Sequence, residues 1–147
     1  SGVYTDVTVD TWRTSWSAAA TTLEELSVEG NAVKKYSSLG YVGIETTTNT
    51  VDASEMTHFH IDFWSSDATK FKIKLVDFGA DGAYGGGDDA EHELTIYSPA
   101  QGQWVSYDIS LSEFSGLTTT GNIAQYILSG EPYEVTTVWI DNVYFHK

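Results

Sequence analysis

The chain has 147 residues, with 21 acidic side chains against seven lysines and arginines, a formal charge of −14 and no cysteine. Several chemistries are thereby disfavoured or excluded. Nucleic acid and sulfated or uronic-acid glycans are bound through lysine and arginine, which are scarce here. Disulfide, thiolate and cysteine-zinc chemistry has no ligand, and no apolar run approaches the ~18 residues of a membrane-spanning helix.

The length fits one domain with one core, expected to run over residues 1–147. Ser1-Gly2, without a methionine start, reads as a cloning remnant on a domain cut from a larger protein. In chain order, strands are expected at Val3–Val9, Val33–Tyr36, Val42–Glu45, Thr57–Trp64, Phe71–Val76, His92–Tyr97, Trp104–Ile109, Ala124–Ser129 and Thr137–Phe145. The period-two alternation is clearest in Thr57–Trp64, where Phe59, Ile61 and Phe63 share one face and His58, His60, Asp62 and Trp64 the other. Ala18–Leu26 reads as a loop or strand entry with at most one helical turn. Ser110–Phe114 reads as a single turn, with Ser110 and Glu113 at capping-box spacing. Nine short strands separated by Gly, Ser, Thr, Asp and Asn predict an all-β sandwich of two antiparallel sheets.

The run Asp77–Glu93, DFGADGAYGGGDDAEHE, carries the connection between the strands Phe71–Val76 and His92–Tyr97, far longer than the two to five residues of an ordinary hairpin loop. Its glycines permit close backbone approach to a ligand. Tyr84 and Asp88 are candidate rim contacts, and Asp81, Asp88 and Asp89 are candidate Ca²⁺ ligands. Glu91 and Glu93 share a strand face at roughly 6.5–7 Å, which keeps a glycan hydrolase or lyase open as an alternative. His58, His60 and Asp62 share a face with zinc-compatible chemistry.

Aromatic residues make up 14% of the chain, including five tryptophans. They serve an all-β core or a sugar-stacking surface equally well. Trp12 and Trp16 stand in a polar, loop-like stretch, Tyr41 between glycines, and Trp64 on the outward face of its strand. With Tyr84 they are candidate sugar platforms, and Gln125, Asn122 and Asp88 could bond hydroxyls. Trp104 and Trp139 are expected to pack a sheet face.

The closing run Val135–Lys147, with Ile140-Asp141-Asn142-Val143-Tyr144-Phe145, resembles the last strand of galactose-binding-like carbohydrate-binding modules. Further runs are similar to non-catalytic domains appended to secreted bacterial polysaccharide-degrading enzymes, including family 16 laminarinases. They are Val3–Asp6, Tyr36–Ile44, Phe59–Trp64, Val76–Glu93, Trp104–Phe114 and Ala124–Ile127. The resemblance implies a jelly-roll β-sandwich that is not itself an enzyme. It would bind a neutral β-glucan, laminarin-type β-1,3-glucan first, and tether a secreted or cell-surface hydrolase to it as a monomeric module. It also implies a structural Ca²⁺ where the terminal strands meet, with Asp141 at the motif position and Asp6 as its partner. A Ca²⁺-dependent adhesion domain is the other alternative.

Overall fold

The computed structural model describes residues 5–147. The described residues form nine strands: β1 (Thr22–Val28), β2 (Asn31–Leu39), β3 (Tyr41–Glu45), β4 (His58–Trp64), β5 (Lys70–Asp77), β6 (Ala90–Tyr97), β7 (Val105–Ser110), β8 (Ile123–Glu131) and β9 (Thr136–His146). All pairings are antiparallel. One sheet has the order β1-β2-β9-β4-β7 and the other β3-β8-β5-β6. The expected all-β sandwich of two antiparallel sheets is therefore observed.

The core lies between the sheets and follows the alternation. Phe59, Ile61 and Phe63 of β4, with Val138 and Ile140 of β9, are buried in one cluster with Phe71, Ile73 and Leu75 of β5 and Tyr126 and Leu128 of β8. Each such side chain contributes about 1.5–3 kcal/mol by leaving water. Tyr36 is fully buried, and its hydroxyl donates to the Trp12 carbonyl at 2.6 Å. Burial raises its phenol pKa far above the usual value.

Two sequence expectations change. Residues 5–9 are irregular, and Val7 is 40% exposed, so the described part of Val3–Val9 is not a strand; Val3 and Tyr4 lie outside the described residues. The ninth strand is β1, in the stretch that reads as a loop or strand entry with at most one helical turn. Its Leu23 and Leu26 are spaced as on a helix because β1 is an edge strand exposed over most of its length. It forms through a two-residue turn in which Glu29 and Gly30 both have positive φ, 51° and 83°, the twist a tight hairpin demands. The Ser110 turn is present as a 3-10 turn over Leu111–Glu113. Ser110 caps it by accepting from the Ser112 amide rather than from Glu113.

Candidate functional site

The described residues hold six exposed aromatic side chains: Trp16, Tyr41, Tyr84, Tyr97, Trp104 and Tyr133. All but Trp104 belong to the four-stranded sheet, its edges or its loops, which makes the outer face of that sheet the candidate site. Antiparallel register sets side chains in rows across it. One row is Tyr41, Ser129, Lys72 and Thr95; the next is Gly43, Ile127, Lys74 and Glu93; the third is Glu45, Gln125, Val76 and Glu91. Beyond the first row stand Glu131, Lys70 and Tyr97. The rows cover roughly 20 Å along the strands.

The middle of the face is polar and mutually held. Lys70 and Lys72 reach Glu131 at 3.1 and 3.5 Å, and Lys74 reaches Glu91 at 3.2 Å. The Lys70 ammonium, with Lys72 beside it, holds the Glu131 carboxyl below the usual carboxylate range. Gln125 donates to Glu45 at 2.8 Å. Lys70 also lies over the Tyr97 ring at 5.7 Å. Such a surface offers oriented donors and acceptors between apolar rings, the mixture a polyhydroxylated ligand requires.

Trp16 owes its position to a missing side chain. A Cβ on Gly43 would overlap the Trp16 ring, so the glycine is the seat of the indole. Tyr133 lies in the same way over Gly40, where a Cβ would come within 2.8 Å of its ring. The segment carrying Trp16 runs along the free edge of β3. Thr14 donates its amide to Gly43 and Ala18 donates to Tyr41, both at 3.0 Å. Arg13 fastens this segment internally, donating to the carbonyls of Thr21 (2.7 Å), Thr14 and Ala18 (3.3 Å each).

At the far end of the face, β5 and β6 run on past the expected strand ends to Asp77 and Ala90, so the acidic loop is shorter than the sequence implies. Its root is Asp77, 1% exposed. Asp77 accepts from the amides of Gly79 (2.8 Å) and Asn122 (2.7 Å) and from the Thr119 hydroxyl (2.8 Å). Tyr84 is 80% exposed and stands edge-on to Phe78. Asp81, Asp88 and Asp89 each bring a carboxylate oxygen within 4.8 Å of the others. The Oδ1 atoms of Asp88 and Asp89 are buried with no hydrogen-bond partner.

The sequence-derived site residues thus divide. Trp16, Tyr41 and Gln125 come together on the four-stranded sheet, with Tyr84 and Asp88 in the loop at its end. Trp12 is not on this face. It packs half-buried against the core, with Lys34 over its ring at 4.9 Å. Trp64 lies on the opposite sheet, edge-on to Trp139 at 6.3 Å. There His60 sits between Asp62 (2.9 Å) and Asp108 (3.2 Å), stacked on Tyr144, and His146 bonds Asp108 at 2.6 Å. The imidazoles are spent on neighbours, and among the described residues no close group of three metal-capable side chains forms on that sheet. Asp141 accepts from the Asn31 side chain and from the Asn142 amide, and Asp6 is exposed. Glu91 and Glu93 do share a face, as expected, on the exposed edge strand β6. Tyr97 and Tyr133 are the platforms that sequence reasoning missed. Tyr97 is in phase with Glu91, Glu93 and Thr95, which is the signal that places it outward.

No sequence-family profile matches the chain, and no curated protein matches it in sequence. Solved structures do match in shape. The family 11 carbohydrate-binding module of the cellulosomal cellulase Lic26A-Cel5E of Clostridium thermocellum superposes with a TM-score of 0.64 at 14% identity, over 97% of this chain and 96% of that one. The family 30 module of cellulase Cel9D-Cel44B from the same organism gives 0.66 at 16% identity, over 95% and 92%. A family 11 module from that organism in complex with a β-1,3-1,4-mixed-linked tetrasaccharide gives 0.60 at 16% identity, over 86% and 82%. The chain therefore has the β-sandwich fold of carbohydrate-binding modules.

Proposed function

We propose that the chain is a non-catalytic module that binds a neutral polysaccharide along the outer face of its four-stranded sheet. The observation that carries this reading is the gathering of five of the six exposed aromatic side chains on or around that face, with ordered polar groups between them. Flat aromatic faces stack on the CH faces of pyranose rings, while Gln125, Ser129, Lys72 and the carboxylates bond hydroxyls. The acidic surface favours a neutral ligand. We further propose a β-glucan, laminarin-type β-1,3-glucan first. The β-1,3-1,4-mixed-linked tetrasaccharide named for a family 11 structure makes mixed-linkage glucan a second candidate. Two or three stacked rings would give micromolar to millimolar affinity, enough for a module tethered to a secreted bacterial hydrolase.

Titration calorimetry against laminarin, mixed-linkage glucan, xylan, mannan and alginate tests this. Saturable heat with a neutral glucan, at an affinity about tenfold weaker in Trp16→Ala and weakened in Tyr41→Ala, is the expected result. No heat with any neutral glycan would sink it. Reducing-sugar release by the isolated chain that vanishes in Glu91→Gln would instead make it a hydrolase. The structural Ca²⁺ at Asp141 and Asp6 is also part of the proposal. A chelator should then lower Tm in the parent chain and leave Asp141→Asn unaffected. The two unpartnered oxygens of Asp88 and Asp89 favour one competing outcome, a Ca²⁺-dependent acidic loop, in which Asp88→Asn removes the chelator effect and Asp141→Asn does not.

A further inference from the structure

We infer that the opposite, five-stranded sheet carries a second saccharide site, of a size for a single pyranose unit, in the depression beside Trp104. The depression measures about 370 Å³, at the lower end of the ~300–1,000 Å³ of small-ligand pockets. Trp104, 45% exposed just before β7, forms one wall. Among the described residues no acceptor engages its indole N–H. Asp62, Ser106, Asp141, Asn142 and Asn31 supply the polar lining.

These polar groups are held in place before any ligand arrives. Asp62 accepts from Ser106 at 2.6 Å, from His60 at 2.9 Å and from the Asn142 side chain at 2.8 Å. Asp141 accepts from the Asn31 side chain and the Asn142 amide. The bonds fix both carboxylates and still leave lone pairs on Asp62 and on the two amide oxygens to accept from hydroxyls. The backbone is arranged to the same end. Between His60 and Asp62 the β4–β9 register slips, and Asn142 takes a positive φ of 48°. A bulge of this kind re-aims side chains, and it turns Asp141 and Asn142 into one wall. Asparagine is among the residues that take this left-handed conformation most readily, so the turn is held at little cost.

A half-exposed indole beside carboxylates, amides and a hydroxyl matches the two sides of a pyranose, CH face to ring and hydroxyls to polar atoms. No lysine or arginine lines the depression, and Glu29 adds a third acid, which disfavours an anionic sugar. The sandwich separates this site from the four-stranded face by a core about 10 Å thick. Two sites on opposite sheets would let one module bridge two glycan chains, with the avidity that linkage brings.

The test is an NMR titration of the full chain with glucose, galactose, mannose, xylose, laminaritriose and cellotriose, following the indole N–H signals and side-chain amides. The expected result is a saturable shift of the Trp104 indole and of the Asn31 and Asn142 amides with at least one sugar. It should weaken at least tenfold in Trp104→Ala and in Asp62→Asn, and persist in Trp16→Ala. Movement of the Trp16 indole with the Trp104 signals still at saturation would overturn the second site and leave the proposed function standing. Movement of Trp104 alone would support the second site and tell against the four-stranded face. Stillness of both would overturn both for these sugars.

Discussion

Gly43 and Trp16 are one functional unit made of two residues. The glycine contributes no side chain, and its hydrogen is the surface on which the indole rests. Trp16→Ala should therefore weaken glucan binding by about tenfold, on the order of 1.4 kcal/mol, and also lower the urea midpoint, because the ring is only 40% exposed and its covered part packs on Gly43. Gly43→Val should lose the same affinity and also lower stability, since the ring and the Thr14–Ser17 segment must shift. Calorimetry and urea denaturation on the two variants check both effects; a midpoint unchanged from the parent chain in either variant would mean that the ring is not seated as described. A second pair, Asp108 and His146, sets a pH dependence. The His146 hydrogen bond, helped by His60, holds the Asp108 carboxyl below 3.8, and Asp108 in turn raises His146 above 6.5. The depressed acid contributes stability that is present above pH ~4 and lost as pH falls through its folded pKa. The raised imidazole contributes stability present below pH ~6.5 and lost as pH rises through its folded pKa. The pair thus stabilises most between those limits. Tm measured from pH 3 to 9 should show a shallow rise in that window which Asp108→Asn reduces, the depressed Asp62 and Glu131 carboxyls keeping part of its acid side; an unchanged profile in the variant would refute the pairing. Asp108 is exposed and His146 only half-buried, so solvent screening keeps the effect small.

At the scale of elements, two short segments hold the site in register. The Trp12–Thr21 stretch follows the edge of β3, and Arg13 is its internal fastener, with three carbonyl acceptors. Arg13→Ala should cost about 2 kcal/mol, by the usual worth of hydrogen bonds from a charged donor. It should also weaken glucan binding, because Trp16 rides on that stretch. The acidic loop depends likewise on Asp77. Asp77→Ala leaves the Gly79 and Asn122 amides and the Thr119 hydroxyl without their acceptor, for a loss of roughly 3 kcal/mol or more. A chemical melt of that variant with no change in midpoint would show that the loop root bears no load. These elements also show what was legible in sequence. β4 and β5 alternate because each has one buried face, so their cores and outward residues can be read directly. β1 hides its pattern because it is an edge strand, exposed over most of its length. Assignment of outward residues to one site or another fails for a different reason. Trp64 and Gln125 both point out of strands, yet β4 and β8 lie in different sheets. Strand order is set by pairings distant in sequence, and a local pattern contains no record of it. Trp12 packs against the core although its neighbours in sequence are polar, and a tryptophan in a polar stretch carries no sign of the core beneath it.

For the whole molecule the governing quantity is charge. Of seven basic side chains, Lys34, Lys35, Lys70, Lys72 and Lys74 are engaged in ion pairs within the sheets, and Arg13 is turned onto backbone carbonyls. Little positive charge is left to offset the remaining acids, so the outer field is negative. Two opposing salt effects follow. Added salt weakens the exposed pairs, each contributing under about 1 kcal/mol, and screens the self-repulsion of a chain at −14. The excess of acids should win, and Tm should rise between ~20 mM and ~500 mM NaCl. Glucan affinity should stay flat over the same range, because a neutral ligand releases no counterions, and alginate should not bind even at the lowest salt. Steep loss of laminarin affinity with salt would contradict the neutral-ligand reading. A fall in Tm with salt would show that the lysine pairs across the sheets, rather than the repulsion between uncompensated acids, dominate the electrostatics of the fold.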